Sequence, residues 1–543
     1  MTKRNVTDLL LAEHLEPDEA AALLRPYGFL DIEKADANLQ AMADEPRNRK
    51  LLAEYLEELL ALLSESPDPD QALNTLERYT AAAVNKTNLY SYLKDSPRTL
   101  ELLAKTVWGS PFMAEILTRD PELIYWLSDT RILDRKRNRR DMARDLSGAL
   151  KYLKDDERKL DILRIFKRKE ILRIGVRDLL RRAEVEETVS ELSALGELLI
   201  DKACEISESA LRRETGGLPG RKARTGFTVL GMGKLGGGEL NFSSDVDLIY
   251  LYASARGGAG RRAGKIPPHH YFADLSRRLT AALSEVTNEG IVYRVDLRLR
   301  PEGGAGEMAY SLSAFRRYYA QRGETWERMA LLKTWPVGGD RKLGMAFIKA
   351  VAPFLYNRPF DRAARGEVRG IKARIDQKME ERGQIRLNVK LGTGGIREIE
   401  FVVQALQLTH GKRYPGIRER GTIKGLSALF RRKLISAAEH GALSAAYRFL
   451  RDVENKLQMV YDFQTHSLPE DPGELRACAY RLGYRDAGGV SAGEFLMRDY
   501  RDHTVRVNRV FRRVFNEKAL KASAKGGRSK VNRPRRGRAS RSG

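Results

Sequence analysis

The chain has 543 residues and a formal net charge of +24, with 42% hydrophobic and 31% charged residues. This balance excludes a disordered chain and indicates a soluble globular protein of about three to four domains at ~150 residues each. Cys204 and Cys478 lie far apart, no apolar run reaches the ~18 residues that span a bilayer, and the start lacks the apolar core of a signal peptide. We therefore expect a cytoplasmic protein without disulfides and without a membrane partner.

Helices are predicted for the amino-terminal part of the chain. Leucine and tyrosine recur at helical spacing over residues 48–64, with acidic residues between them, which is the pattern of an amphipathic core helix. Similar patterns cover 70–83, 97–107, 111–129, 140–156 and a long basic stretch at about 158–213. We expect a helical amino-terminal region over residues 1–105 and a helical segment over 106–215 that leads into the next domain.

Residues 231–252 are the most informative stretch of the chain. An apolar strand from Phe227 to Leu230 runs into a glycine-rich turn, and a second apolar strand follows that opens with Asp245 and Asp247. Alternate residues of a strand share a face, so these two carboxylates point the same way. Carboxylates so placed suit Mg²⁺, which favours one or two of them together with nucleotide phosphates, and the pattern is typical of a nucleotidyl-transfer site. Candidate contacts to the phosphates here are Gly233, Lys234, Gly236 and Ser244.

Three alternative structures account for these glycines less well. Residues 231–236 match G-x-G-x-x-G after a strand, but a dinucleotide-binding fold needs a crossover helix before its acidic residue, and Asp245 comes too soon. A P-loop needs Ser or Thr after Gly-Lys, and Leu235 stands there. A surface hairpin with solvated aspartates does not explain the apolar run 248–252, whereas a buried strand with acids at one end does.

A third carboxylate is predicted on a later strand. Residues 291–300 alternate between apolar and polar side chains, which predicts a strand with one face on the core, and its polar face carries Arg294, Asp296, Arg298 and Arg300. Such charges are often only solvated, and the segment alone leaves that interpretation open. Beside the first motif, the arginines become candidates for phosphate or nucleotide binding, since guanidinium groups match phosphate oxygens in bidentate geometry. The candidate catalytic and metal-binding residues are then Asp245, Asp247 and Asp296.

The mixed domain is expected over residues 216–355, with a hinge at 214–222 and a glycine-rich loop at 254–265, and a helical domain over 356–515. In the helical domain, residues 387–391 predict a short strand or extended arm, and glycines then lead into a helix from Ile396. Glycines before a helix N-terminus expose N–H groups that can hold an anion, although a tight turn that merely starts a helix accounts for them as well. Candidate cleft residues in this part are Lys390, Gly394, Gly395, Arg397 and Glu398.

Four segments resemble the glutamine synthetase adenylyltransferase/adenylyl-removing enzyme family. They are residues 231–251, Val-Asp-Leu-Arg-Leu-Arg-Pro-Glu-Gly at 295–303, Trp-Glu-Arg at 326–328 and Gly-Gly-Ile-Arg-Glu-Ile-Glu-Phe at 394–401. The resemblance covers about residues 70–515. It implies an α+β, mostly helical fold with a polymerase-beta-like nucleotidyltransferase domain of mixed sheet between helical domains. It also implies Mg²⁺ or Mn²⁺, ATP or ADP and phosphate as substrates, glutamine synthetase as partner and the PII signalling protein as regulator.

The resemblance also bears on the direction of the reaction. Family members commonly carry two nucleotidyltransferase halves, and this chain has one. Residues 240–245 and 395–401 look more like the amino-terminal, adenylyl-removing half, which implies phosphorolytic removal of AMP from a tyrosine rather than its addition. In the adding direction Asp296 is the candidate base for the tyrosyl hydroxyl.

Two further functions stay open on the sequence. One is a non-catalytic regulator that binds nucleotide or PII, against which the three aspartates argue. The other is a template-independent RNA nucleotidyltransferase, which only the charge favours. Ten of the basic residues lie between Lys518 and Ser542 without an acid, so we predict a basic disordered tail over 516–543. We expect nucleic acid to bind at most to this tail, since stacking aromatics are not interleaved with the other basic segments.

Overall fold

A computed structural model describes residues 4–218, 226–253, 267–461 and 465–515. The predicted basic tail at 516–543 and the predicted glycine-rich loop at 254–265 lie outside the described residues. So does part of the predicted hinge at 214–222.

Every regular element that the structure describes before residue 227 is helical. Several of these helices begin with proline, which has no N–H to leave unpaired in the first turn and whose φ suits a helix start. The helices are α1 (Asp8–Leu11), α2 (Pro17–Leu24), α3 (Ile32–Met42), α4 (Pro46–Ser64), α5 (Pro69–Ala82), α6 (Lys86–Asp95), α7 (Pro97–Gly109), α8 (Pro111–Arg119), α9 (Leu123–Ser128), α10 (Thr130–Leu133), α11 (Arg139–Leu150), α12 (Asp156–Leu179) and α13 (Val185–Thr215).

Two predicted helical segments are interrupted. The segment 111–129 divides into α8 and α9, because Pro121 holds Asp120 out of the helical conformation (φ −139°, ψ 80°). The long basic stretch at 158–213 divides into α12 and α13, and Arg181 takes a positive φ of 52° between them. These two helices pack against each other.

The sheet is small and mixed. Its strands are β1 (Phe227–Gly231), β2 (Val246–Tyr252), β3 (Val295–Asp296), β4 (Ala309–Ser311) and β5 (Trp335–Gly339), and a short helix, α14 (Gly233–Gly237), joins β1 to β2. The order is β3-β2-β1-β5, and β4 pairs with β2 beyond the end of β3. β1 is antiparallel to β2 and β5, whereas β2 is parallel to β3 and β4.

The strand predicted over 291–300 is much shorter than its alternation suggests. Only Val295 and Asp296 pair in the sheet. The chain then turns: the N–H of Arg300 donates to the carbonyl of Leu297 at 3.2 Å, and Pro301 cannot donate to a strand ladder.

The remaining helices surround the sheet and form the carboxy-terminal part. They are α15 (Pro268–Ser284), α16 (Leu312–Gln321), α17 (Thr325–Leu331), α18 (Arg341–Tyr356), α19 (Arg362–Glu381), α20 (Ile396–His410), α21 (Thr422–Arg431), α22 (Ala437–Tyr461), α23 (Pro472–Arg481) and α24 (Ala492–Phe515). The arm predicted at 387–391 is not a regular strand. It pairs with residues 466–468 through an isolated bridge and two backbone hydrogen bonds of 2.8 and 2.9 Å.

The two faces of the sheet belong to different hydrophobic cores. Leu248 and Tyr250 of β2 pack into the core shared with the amino-terminal helices, whereas Ile249 and Leu251 pack into the core of the carboxy-terminal helices. Asp247 is on the same face as Ile249, because alternate strand residues share a face. The carboxylates therefore lie on the side of the carboxy-terminal helices. A mostly helical fold with a small mixed sheet confirms the predicted α+β class.

None of the helices in the described ranges combines the length and the apolar character needed to cross a bilayer.

Candidate active site

The pairing of β2 with β3 brings the three predicted aspartates together. Asp247 and Asp296 are register partners in this parallel pair, so their side chains leave the same face of the sheet. Asp245 comes two residues before Asp247, at the start of β2. Three carboxylates from two segments about 50 residues apart in sequence thus lie at the same edge of the sheet.

Their electrostatic surroundings differ. Asp245 accepts a 2.6 Å hydrogen bond from Nε of Arg294. Asp296 accepts hydrogen bonds from Nη2 and from the backbone N–H of Arg298, at 2.6 and 2.8 Å, and these bonds lower the pKa of Asp296. Asp247 accepts no hydrogen bond from any described residue. Burial, and then the charge of Asp296, raise its pKa to about 6.

The glycines of the motif are explained by close packing around these acids. Gly233 has a φ of +54°, and a Cβ there would lie 2.5 Å from Oδ2 of Asp247. A Cβ on Gly236 would overlap the carbonyl oxygen of Lys333. Only glycine therefore allows α14 to lie this close to the carboxylate and to the chain before β5. Gly233 lines the cleft, whereas Gly236 packs against the backbone of Lys333 next to it.

The aspartates form one wall of a cleft of about 490 Å³. Lysines and arginines reach it from several segments, and an apolar side is built from helices α17, α19 and α20. The predicted site residues that line the cleft are Gly233, Lys234, Ser244, Asp245, Asp247, Asp296, Arg298, Lys390 and Arg397. The lining residues that the sequence did not single out include Trp326, Met329, Lys333, Ile371, Ile375, Glu400, Phe401 and Gln404. Acids at one end, cations beside them and an apolar wall can together accept a phosphorylated substrate with an apolar part.

Of the cleft lysines, Lys333 is buried and Lys234 and Lys390 are partly buried, and Lys234 and Lys333 pair with carboxylates. Nζ of Lys234 lies 2.8 Å from Oε1 of Glu454, and burial lowers the pKa of Lys234 to about 7 although Glu454 opposes the shift. Burial also lowers the pKa of Lys390. Lys333 donates to Glu239 at 2.8 Å and to Glu400 at 2.6 Å. Burial works against ionisation of Glu400, yet Lys333 and nearby basic groups hold its pKa at about 2.

Several predicted residues have partners outside the cleft. Arg300 is buried and donates to the carbonyl groups of Leu297, Gly304 and Gly306, so it holds the turn after β3. Glu398 is 1% exposed, lies 3.2 Å from Nζ of Lys372 and accepts a 3.0 Å bond from Asn508. Arg294 is not among the described residues that line the cleft, and it bonds to Asp245 and to the carbonyl of Ser243.

The glycine turn before α20 is explained by packing. The N–H groups of Ile396 and Arg397 donate to the carbonyls of Val389 and Lys390, each at 2.9 Å, so they are not free to hold an anion. Gly394 has a φ of +75°, and a Cβ there would overlap the carbonyl oxygen of Thr504. The sequence left two interpretations of these glycines open, an anion site and a tight turn. The geometry favours the tight turn.

A divalent cation fits the chemistry of the carboxylates but not their present arrangement. Among the described residues, no group of three or more His, Cys, Asp or Glu is placed to hold a metal ion. The reason is that Asp245 and Asp296 are each turned toward an arginine. Both arginines are accessible, since the side chain of Arg294 is 45% exposed and that of Arg298 is 83% exposed. Rotation of these two side chains would release the carboxylates for a hard cation, which prefers oxygen ligands.

The small mixed sheet thus presents three carboxylates to a cleft that is also lined with lysine and arginine. Residues 100–350 match the family model of glutamate-ammonia ligase adenylyltransferase, and residues 369–515 match that of GlnD PII-uridylyltransferase.

Curated relatives extend the match. The chain is 38% identical over 420 residues to a bifunctional glutamine synthetase adenylyltransferase/adenylyl-removing enzyme of Thioalkalivibrio sulfidiphilus. The matched residues make up 76% of this chain and 42% of the relative. The chain is 37% identical over 448 residues to the protein of the same name from Nitrosococcus oceani, covering 81% of this chain and 45% of the relative. The chain spans less than half the length of these relatives. These matches confirm the resemblance to the glutamine synthetase adenylyltransferase/adenylyl-removing enzyme family found in the sequence.

Proposed function

We propose that this chain is a nucleotidyltransferase that controls glutamine synthetase by phosphorolytic removal of AMP from a tyrosine, with addition of AMP as the slower, opposite reaction. The observation that carries the proposal is that Asp245, just before β2, Asp247 on β2 and Asp296 on β3 line one cleft together with Lys234, Lys333 and Lys390. The names of the relatives include both directions of the reaction. The mixed sheet is then the core of a polymerase-beta-like nucleotidyltransferase domain.

Different cleft residues have different roles in the proposed reaction. Asp245, Asp247 and Asp296 would hold Mg²⁺ or Mn²⁺, which supplies charge neutralisation at the phosphates when it is bound. Lys234, Lys390 and Arg397 bind phosphate oxygens. The apolar side around Trp326 and Phe401 receives the adenosine and keeps water from the reacting phosphorus.

The removal reaction is a displacement at one phosphorus. An oxygen of inorganic phosphate attacks the phosphorus of tyrosyl-AMP, the bond to the tyrosyl oxygen breaks, and ADP forms while that oxygen takes up a proton. In the opposite direction the tyrosyl oxygen attacks the α-phosphorus of ATP and pyrophosphate leaves. Asp296 is the proposed acceptor of the tyrosyl proton in that direction.

The proposal is tested by following AMP on glutamine synthetase by mass. The purified chain is incubated either with adenylylated glutamine synthetase, phosphate and Mg²⁺, or with unmodified glutamine synthetase, ATP and Mg²⁺. We expect phosphate-dependent release of ADP to be much faster than addition of AMP. Addition of AMP without removal would refute the assignment to the removing half. The absence of both reactions would refute the proposed nucleotidyltransferase activity.

A second candidate is a non-catalytic regulator that binds nucleotide or the PII protein. The observation that favours it is the pairing of Asp245 with Arg294 and of Asp296 with Arg298, which occupies two of the three carboxylates. The match of residues 369–515 to a PII-uridylyltransferase model makes PII a proposed partner in either case. Binding of ATP or PII by a chain that turns over neither substrate would favour this candidate.

A further inference from the structure

One face of helix α22 holds the segment that joins β1 to β2. This segment, residues 233–245, carries Gly233, Lys234, Ser244 and Asp245 into the cleft. The helix presents Arg451, Glu454 and Gln458 at spacings of three and four residues, which places them on one helix face. Each of these three side chains is at most 1% exposed.

Glu454 is at the centre of these contacts. Its Oε1 lies 2.8 Å from Nζ of Lys234. Its Oε2 accepts from Nδ2 of Asn241 at 2.7 Å and from Nη1 of Arg451 at 2.6 Å. One carboxylate therefore joins the start and the middle of segment 233–245 to the helix.

Neighbouring residues of α22 complete the attachment. Oε1 of Gln458 accepts from the backbone N–H of Ser243 at 3.1 Å, and Nη2 of Arg451 donates to the carbonyl of Glu239. On the opposite side, the N–H of Leu240 donates to Oγ of Ser193 on α13 at 2.9 Å. Segment 233–245 thus contacts both helices, and its Glu239 also accepts from Lys333 and from Thr422 of α21. The contacts with α22 are the ones that hold Lys234.

The charge of Glu454 is needed for this arrangement. A buried carboxylate is costly unless cations and donors surround it, and removal of one partner leaves the others as uncompensated buried charges. Burial opposes ionisation of Glu454, yet Lys234 and Arg451 hold its pKa well below the usual range. Among the described residues, Glu454 is the carboxylate within ion-pair distance of Nζ of Lys234, so removal of its charge leaves this ammonium group without that partner.

We propose that Glu454 is a positioning residue, which locks segment 233–245 to α22 and holds the Lys234 ammonium group where the substrate phosphate binds. The part concerning phosphate rests on the proposed function, whereas the locking of the segment does not. Because α22 belongs to the carboxy-terminal helices, a shift of this helix would reach segment 233–245 through Arg451, Glu454 and Gln458, and would reach Lys234 through Glu454.

The test replaces the charge while keeping the shape, in Glu454→Gln. Hydrogen exchange followed by mass spectrometry should become about tenfold faster in peptides that cover 233–245, since a charge-assisted bond is worth about that factor or more. In the phosphorolysis assay, KM for phosphate should rise about tenfold while kcat changes less. The matched control is Glu191→Gln, because Glu191 is also buried and accepts from Arg137, Arg173 and Arg177, none of which lines the cleft.

A double-mutant cycle separates positioning from general destabilisation. If Glu454 acts on phosphate through Lys234, then Glu454→Gln adds no further rise in KM to a Lys234→Met chain. If Glu454→Gln does not fold, Asn241→Ala, which removes one donor, should still accelerate exchange in 233–245. Unchanged exchange in that segment, or the same acceleration in the Glu191→Gln control, would overturn the proposal. The exchange result does not depend on turnover, so an inactive wild-type chain would refute the proposed function without deciding this one.

Discussion

Replacement of Asp247 by asparagine is expected to stabilise the metal-free protein while it removes a carboxylate that the proposed reaction needs. Asparagine has nearly the same shape but cannot ionise. Asp247 is largely buried, lies beside two other aspartates and accepts no hydrogen bond from a described residue. The folded protein therefore loses stability when this group gives up its proton.

The size and sign of the effect follow from the pKa of Asp247. Folding raises it from 3.8 to about 6, so the folded chain keeps this proton to a higher pH than the unfolded chain does. The loss of folding stability that ionisation of Asp247 causes is absent below about pH 4, grows between about pH 4 and 6, and is complete above that range. A rise of about two units, at about 1.4 kcal/mol each, corresponds to roughly 3 kcal/mol. For a cooperative unit of about 500 residues this is a rise in Tm of ~3 °C.

The assay is thermal melting in EDTA at several pH values from 4 to 8. We expect the Asp247→Asn chain to melt above the wild type at pH 7.5 and to approach it near pH 4. Asp120→Asn is the matched control, since Asp120 is exposed and far from the cleft in sequence. Addition of Mg²⁺ should raise the Tm of the wild type and should raise that of Asp247→Asn less.

Two results would refute this reasoning. A lower Tm for Asp247→Asn at pH 7.5 would mean that the carboxylate stabilises the folded chain. A gain in Tm that is the same at pH 4 and pH 7.5 would mean that its origin is not the ionisation of Asp247.

The other predictions concern the cleft and the packing around it. Asp245→Asn should lower phosphate-dependent release of ADP at least ~10²-fold without a large change in Tm. Gly236→Ala should greatly reduce the soluble yield because its Cβ would overlap a backbone carbonyl, whereas Gly148→Ala, on the open side of α11, should gain about 0.5–1 kcal/mol in urea melts. Lys390→Met should raise KM for phosphate about tenfold, as expected for loss of a charge-assisted bond. Arg300→Met should lower Tm and leave that KM unchanged, because the hydrogen bonds of Arg300 with the described residues all go to backbone carbonyls.

Local patterns in the sequence were sufficient to predict the group of carboxylates at the centre of the candidate site. Period-two alternation predicted that Asp245 and Asp247 share a face, and the pairing of β2 with β3 adds Asp296 to that face. Apolar periodicity also predicted helices at 48–64 and 70–83, which are α4 and α5 and which begin at Pro46 and Pro69. These features depend on a few neighbouring residues, so a short window of sequence contains the information.

Alternation alone could not decide the extent or the partners of the third strand. Residues 291–300 alternate throughout, but only two of them pair, because Pro301 and the turn at Leu297 end the ladder. The polar face of that segment looked uniform in sequence. In the structure Arg298 pairs with an acid at the cleft, whereas Arg300 points into a turn and satisfies its carbonyls.

The sequence by itself determined the resemblance to the family and the strand-turn-strand motif with its carboxylates, since each of these is encoded in local periodicity and in short contiguous motifs. Only the tertiary structure decided which charges meet. Lys234 and Glu454 are 220 residues apart, and Lys333 joins Glu239 to Glu400 across two further segments. No local pattern marks such pairs, because they arise where folding removes charged groups from water and each must then find a partner among whatever side chains the packed helices bring beside it.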